Sequence, residues 1–454
     1  MGRAPLIAVA VPLHLHRPHN AVQDRYKLRC KSATICGMNG YRTRVIDREL
    51  AGRLTSSGAV VLEGPRACGK TTTARQQAAS EVLLDTDANA RQLAEIAPRM
   101  LLEGDVPRLL DEWQVVPELW NHIRRAVDDR RLPGQFILSG SAVPPDDVTR
   151  HTGAGRIARL RMRPMSLFES GHSSGAVSLT HVMNGSTPAC PDPGLTVPHL
   201  AERVAVGGWP AFQHLPVPDA LRAVADYLEE ITQTDIGRVD RTRRDPSRVA
   251  RVLRSLARNV GTSVAATKLA SETGSRGGAV DRETVGDYLE VLERLMVVEN
   301  QPAWAPHLRS RSITRLAEKR HFVDPSLAVA ALSGSPDRLL NDLRFLGLLY
   351  ESLVIRDLRI YAQALDGRVL HYRDNTDLEV DAIVELRGGS WAGFVVKLGG
   401  SLVDDGAAHL LKFRQRVDTT RCGEPVLLAV ITATGYGYVR PDGIAVIPIG
   451  ALGP

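Results

Sequence analysis

From Ala59 onward, short runs of apolar residues alternate with amphipathic stretches: "AVVLEG", "TTARQQAA", "EVLLDTD", "VPRLLDEW", "ELWNHIRRAVDD" and "QFILSGSA". Runs that are apolar throughout fit strands covered on both faces, and the helical stretches between them supply the crossovers a parallel sheet requires. The first orderly helix is expected in "GYRTRVIDRELAGRL". The residues before it, 1–40, carry no period and read as a disordered extension. The sheet-forming part therefore occupies residues 41–170. Residues 171–198 open with "GHSSGAVSLTHVMNGSTPACPDPG", a Gly-, Ser- and Pro-rich stretch that reads as a flexible linker or insertion.

From 199 to 338 the period becomes helical, in "DALRAVADYLEEITQTDI", "SRVARVLRSLARNV", "AATKLASETG" and "DRETVGDYLEVLERLMVV". In the last of these Val285, Tyr288, Leu289, Leu292 and Leu295 form one apolar stripe. Three helices closed by a hairpin within "VVENQPAWAP" resemble a winged helix. Strand patterns return in "VLHYRDN", "EVDAIVEL", "WAGFVVKLG", "PVLLAVITA" and "GIAVIPI", flanked by helices, and predict a separate small α/β domain over 339–454. The predicted class is α/β multidomain, with a helical middle.

A chain of 454 residues exceeds one compact core and suits several domains. The five cysteines are odd in number, scattered and never spaced as CxxC, which argues against a disulfide framework or zinc site and for a reducing, cytoplasmic setting. No apolar run has the length of a membrane span. The formal charge of +6 is compatible with an anionic partner such as nucleic acid. Seven of the 57 basic residues are lysine, so the positive charge is almost all arginine.

The chemistry is concentrated in "LEGPRACGKTTTARQ", where Gly64, Gly69, Lys70 and Thr71 satisfy G-x-x-x-x-G-K-[ST] between an apolar strand and a helix. Residues Gly64, Pro65, Arg66, Ala67, Cys68, Gly69, Lys70, Thr71 and Thr72 are thus expected to cradle phosphates. Lys70 would meet the terminal phosphates and the Thr71 hydroxyl would hold Mg2+. In "RLLDEW", Asp111 ends an apolar run where it can reach that metal through water, with Glu112 beside it as a base. Ser139 ends the strand in "FILSGS" as a candidate γ-phosphate sensor. In "GRIARLRMRPMSLFE", Arg156 is a candidate γ-phosphate contact or arginine finger, and Arg159, Arg161 and Arg163 alternate along a strand. Three uncompensated arginines on one face must line an edge, a phosphate channel or a subunit contact.

Together "GPRACGKTT", "LLDEWQ", "ILSGSA" and "GR...RLRMRPMSLFE" resemble a large prokaryotic family of AAA-type P-loop ATPases joined to a C-terminal domain with a restriction-endonuclease-like core. The likeness continues through "GGWPAF", "YLEEITQTDI", "HFVDPSLA", "LLYESLVIRDL", "EVDAIVE" and "VVKLGG". It implies ATP binding, slow hydrolysis, and a role involving nucleic acid or a defence or toxin-antitoxin setting. ATP rather than GTP rests on this resemblance alone, since the loop reads phosphates and not the base.

The resemblance also places Glu351, Asp381 and Lys397 at the matching nuclease positions. Val395 stands where the family's second acid lies, two residues before the lysine. A valine cannot ligate a metal, so the expected nuclease-like site is degenerate, with Glu379 or Glu385 as outer-shell substitutes at best. Arginine clusters at Arg238, Arg241, Arg243 and Arg244, and at Arg309, Arg311 and Arg315, could neutralise DNA or RNA phosphates without reading sequence, or form a solvated surface. A protein partner and an oligomer, which an arginine finger would require, stay open.

Overall fold

In the computed structural model, the residues described are 40–140, 152–236, 245–274, 281–306 and 317–454. The expected disordered extension lies outside them, as do Arg238, Arg241, Arg243, Arg244, Arg309, Arg311 and Arg315. Helix α1 (Ile46–Ser56) precedes strand β1 (Ala59–Glu63), helix α2 (Lys70–Arg75) and strand β2 (Ser80–Leu83). Strand β3 (Arg108–Asp111), helix α3 (Leu119–Arg130), and strands β4 (Phe136–Gly140) and β5 (Ile157–Arg161) follow. The five strands form one parallel sheet in the order β2-β3-β4-β1-β5.

Burial explains why β1 reads as a continuous apolar run. Ala59 and Val61 pack with Trp120, Ile123 and Val127 on the α3 face, while Val60 and Leu62 pack with Leu50, Leu54 and Ala74 on the α1 and α2 face. Alternate side chains serve opposite layers, so neither set can be polar.

Beyond the sheet come helices α4 (Val197–Val206), α5 (Val217–Glu230), α6 (Pro246–Arg258), α7 (Ala266–Thr273) and α8 (Arg282–Arg294). Strand β6 (Val298–Gln301) then pairs antiparallel with β7 (Lys319–Phe322). The hairpin expected within "VVENQPAWAP" is therefore differently made, because its second strand comes from much further along. The residues after β6 join another sheet instead, through a parallel bridge between Ala303 and His371.

Helix α9 (Pro325–Ala331) and the long helix α10 (Leu343–Gln363) lead into strands β8 (Arg368–Arg373), β9 (Glu379–Glu385) and β10 (Trp391–Lys397). Helix α11 (Val403–Arg416) crosses to β11 (Leu427–Thr432), and β12 (Tyr438–Val439) and β13 (Ala445–Pro448) complete a mixed six-stranded sheet. Helix α10 covers one face and α11 the other, with Ala382 and Phe394 in one core and Val395 and Phe413 in the other.

Contacts cross two of the expected boundaries. The Gly/Ser/Pro-rich stretch is not a free linker: Val177 and Ser178 pair in parallel with Leu452 and Gly453, Ser173 Oγ donates to Leu452 O at 2.7 Å, and Cys190 bridges to Gly437. Its composition reflects backbone and hydroxyl groups bonded to the C-terminal chain. Nor is 339–454 a separate core, since one apolar cluster runs from Leu167 through the helices of 199–338 to Leu452.

Candidate functional site

Strands β1, β3 and β4 end together at one edge of the parallel sheet, and the loop Gly64–Gly69 turns there into α2. Gly69 (φ 102°) and Ala67 (φ 57°) take left-handed backbone, the conformation with which such a loop curls and can turn N–H groups toward an anion. Gly64 is required for another reason, since a Cβ there would collide with the carbonyl oxygen of Met162. Arg66, Ala67 and Thr72 are exposed, Pro65 and Cys68 buried.

Lys70 Nζ donates to the carbonyls of Gly64 (3.0 Å) and Pro65 (2.8 Å) within the loop. Thr71 Oγ1 donates to Asp111 at 2.9 Å and 3.1 Å. Ser139, paired in register with Asp111, donates its hydroxyl to the same carboxylate. Ser139, the expected γ-phosphate sensor, is fully buried, with its hydroxyl turned to Asp111. Glu112 stands on the rim with left-handed backbone (φ 53°), accepting a hydrogen bond from the Gln114 side chain. Gln114, missed in the sequence although it ends "LLDEWQ", has a buried Oε1 with no partner among the described residues.

Arg156 is placed far from this edge. It precedes β5, which runs parallel to β1, so it lies at the opposite end of the sheet, roughly 15 Å from the loop by strand rise. There it pairs with Asp128 at 2.9 Å, so it cannot touch a phosphate bound in its own subunit's loop. Arg159 and Arg161 lie on the edge strand and Arg163 two residues beyond it, and each meets a carboxylate within the chain. Arg159 pairs with Glu63, while Arg161 (3.7 Å) and Arg163 (2.6 Å) meet Glu299.

The loop is also held from outside the sheet. Arg44, buried by its ion pair with Glu169 (3.0 Å), donates to the Cys68 carbonyl at 2.9 Å and to the Arg163 carbonyl at 2.8 Å. Tyr227 of α5 donates to the Arg66 carbonyl at 3.3 Å and stacks on Trp209 of "GGWPAF". Trp209 Nε1 reaches Ser326 Oγ at 3.0 Å, and the neighbouring Gly208 N–H donates to Asp324 at 2.9 Å. Asp324 caps α9 and pairs with Arg356 (2.7 Å), which also holds Asp357, whose carboxylate accepts the Leu167 N–H. Hydrogen bonds, one aromatic contact and an ion pair therefore link the phosphate loop to helix α10.

The nuclease-like residues are not assembled as expected. Glu351 and Asp381 do converge, with Glu379, but on Lys319 of β7, at 2.7 Å, 3.7 Å and 2.5 Å respectively. Lys397 ends β10 against Gly406 of α11, on the face where Val395 is buried in apolar surroundings, opposite the face carrying Glu351. Burial pushes the Glu351 carboxyl up to about 7, with Asp381 and Glu379 adding to the rise against the pull of Lys319. Burial alone would depress the Lys319 ammonium, yet the three carboxylates hold it above its ordinary range. Among the described residues, no group of three His, Cys, Asp or Glu side chains stands so as to hold a metal ion. The one available signal for Lys319 was its rarity, a lysine in a chain that otherwise uses arginine.

A phosphate loop with its threonine and strand-end acid on a parallel sheet defines a nucleotide-binding class, and residues 56–170 match the family model described as an AAA domain. Residues 197–338 and 346–452 match two domains of unknown function, DUF8612 and DUF4143. Over 346 residues the chain is 28% identical to the uncharacterized protein Rv2008c of Mycobacterium tuberculosis, and equally to Mb2031c of Mycobacterium bovis, covering 74% of this chain and 70% of each relative. Among solved structures, the Walker-type ATPase PABY2304 of Pyrococcus abyssi matches 63% of this chain and 94% of its own, with a TM-score of 0.39 and 15% identity. No helix among the described residues is long and apolar enough to cross a membrane.

Proposed function

We propose that this protein binds ATP with Mg2+, hydrolyses it, and couples nucleotide state to a macromolecular partner, with DNA as the first candidate. The observation that carries this reading is the meeting of Thr71 and Asp111 beneath the loop. A hydroxyl and a carboxylate oxygen are hard donors suited to magnesium, and the N–H groups of the loop suit phosphate oxygens. The bound metal would supply charge neutralisation at the phosphates. Lys70 would turn from the Gly64 and Pro65 carbonyls to the terminal phosphates. Ser139 holds the Asp111 carboxylate in one orientation, and Glu112, steadied by Gln114, would accept the proton of the attacking water.

The contacts of Arg44 and Tyr227 with the loop carbonyls support coupling, because a loop that closes on phosphate changes their geometry. We read α6 to α8 with β6 and β7 as a winged-helix-like unit. We read the six-stranded sheet between α10 and α11 as a restriction-endonuclease-like core that serves binding rather than cleavage.

The test is steady-state Mg2+-dependent ATP hydrolysis by the full chain, with and without duplex and single-stranded DNA, beside Lys70→Ala. Turnover that Lys70→Ala removes, and that DNA raises, is the expected result. Nucleotide binding with no Lys70-dependent turnover would overturn hydrolysis and leave a nucleotide-gated adaptor.

A further inference from the structure

Between the edge strand β5, the β6 segment and the rim of the second sheet lies a cleft of about 930 Å³, a volume within the range of small-ligand sites. At its floor Arg161, Arg163 and Arg359 converge on the single carboxylate of Glu299, at 3.7 Å, 2.6 Å and 3.6 Å. Three guanidinium groups against one carboxylate leave two positive charges in excess. The side chains of Arg163 and Arg359 are only 9% and 6% exposed, a setting in which unbalanced charge is costly. Their remaining protein contacts are neutral: Arg163 donates to Gln363 Oε1 at 2.6 Å and Arg359 to the Asn300 carbonyl at 3.0 Å. Arg161 Nε is buried with no hydrogen-bond partner among the described residues.

The acids at the rim offset little of this excess. Glu293 feels Arg161 but is shared with the Asn300 side chain and Arg320, Glu385 is engaged by Arg368, and Glu318 is exposed. The charge balance shows in the floor groups themselves. Although burial works against it, the three arginines hold the Glu299 carboxyl well below its ordinary range, while burial and the neighbouring arginines draw the Arg359 guanidinium down to about 10 despite Glu299.

We propose that this cleft is a second anion site, which takes a terminal phosphate (a phosphate monoester) on Arg161, Arg163 and Arg359. A monoester carries about −1.5 to −2 charge near neutrality, matching the excess, whereas an internal phosphodiester carries half of that. Planar guanidinium forks suit its oxygens. The ester is carried either by a free nucleotide or by the 5′ end of a nucleic-acid strand. Location gives the site a consequence. Met162, between Arg161 and Arg163, donates its N–H to Glu63 O at 2.7 Å, and its carbonyl packs on Gly64 at the start of the phosphate loop.

The test uses the full chain carrying Lys70→Ala, so that loss of nucleotide binding at the phosphate loop does not decide the result. Calorimetric titration with inorganic phosphate is expected to show one-to-one binding. Adding Arg161→Gln should weaken it about tenfold or more, with Arg161→Lys recovering part, in proteins whose melting temperatures stay close to the parent's. A 5′-phosphorylated oligonucleotide that outcompetes its 5′-hydroxyl counterpart marks the strand end as source. A nucleoside monophosphate that binds where the oligonucleotide does not marks the free nucleotide. Absence of phosphate binding, or binding indifferent to Arg161→Gln, overturns the proposal.

Discussion

The edge of the first sheet and the edge of the second are built from the same materials, carboxylates and a lysine, and arrange them oppositely. At the first, Asp111 accepts hydrogen bonds from the hydroxyls of Thr71 and Ser139, and Lys70 rests on carbonyls of a loop that can exchange them. Hydroxyl and carbonyl partners are readily given up to a metal or a phosphate. At the second, Glu351, Glu379 and Asp381 already share an ammonium group, Lys319, which is 3% exposed. A carboxylate cluster that holds its own cation has little to offer another. A site is therefore recognised less by which acids are present than by whether their charge is already satisfied.

The comparison breaks most readily in turnover. Glu112→Gln is expected to lower ATP hydrolysis about 100-fold or more while leaving nucleotide binding intact, measured by steady-state kinetics and equilibrium binding. Undiminished turnover would show that the base lies elsewhere.

The next effect is on stability, and it should separate the two lysines. Lys319→Met leaves three half-buried carboxylates without their shared cation and should cost about 2–3 kcal/mol in urea unfolding at pH 8. Lys70→Met, which loses only hydrogen bonds to carbonyls, should cost about 1 kcal/mol.

A smaller effect follows from Glu351. Its carboxyl stands at about 7 in the fold against 4.5 for a free one, so between those pH values the native state holds a proton the unfolded chain has released. Its contribution to stability is full below pH 4.5 and is lost as pH rises toward 7. Glu351→Gln should remove that part of the slope, read from urea midpoints across the interval. An unchanged slope would show that Lys319 keeps Glu351 ionised.

Smallest of all is Arg156→Ala. With its partner Asp128 at the surface, it should shift stability by less than about 0.5 kcal/mol and leave turnover unaltered. Loss of turnover would instead mean that a neighbouring subunit uses Arg156.

The sequence by itself determined the local features. The apolar runs at Ala59, Leu109 and Phe136 specify buried strands because alternate residues face opposite apolar layers, and the spacing from Gly64 to Thr71 specifies the phosphate loop because backbone geometry within a few residues is enough. Asp111 was legible for the same reason, as an acid ending a strand. Only the tertiary structure decided which charges meet. Glu299 and Arg163 are 136 residues apart, and Lys319 and Asp381 come from different sheets. Side-chain pairing over such separations depends on which faces the packed layers turn toward each other. One bulge in β9 between Val380 and Ile383 shifts the register there. Along a single strand, the parity of one residue put Lys397 on the face away from Glu351, and neither charge nor hydropathy records that choice.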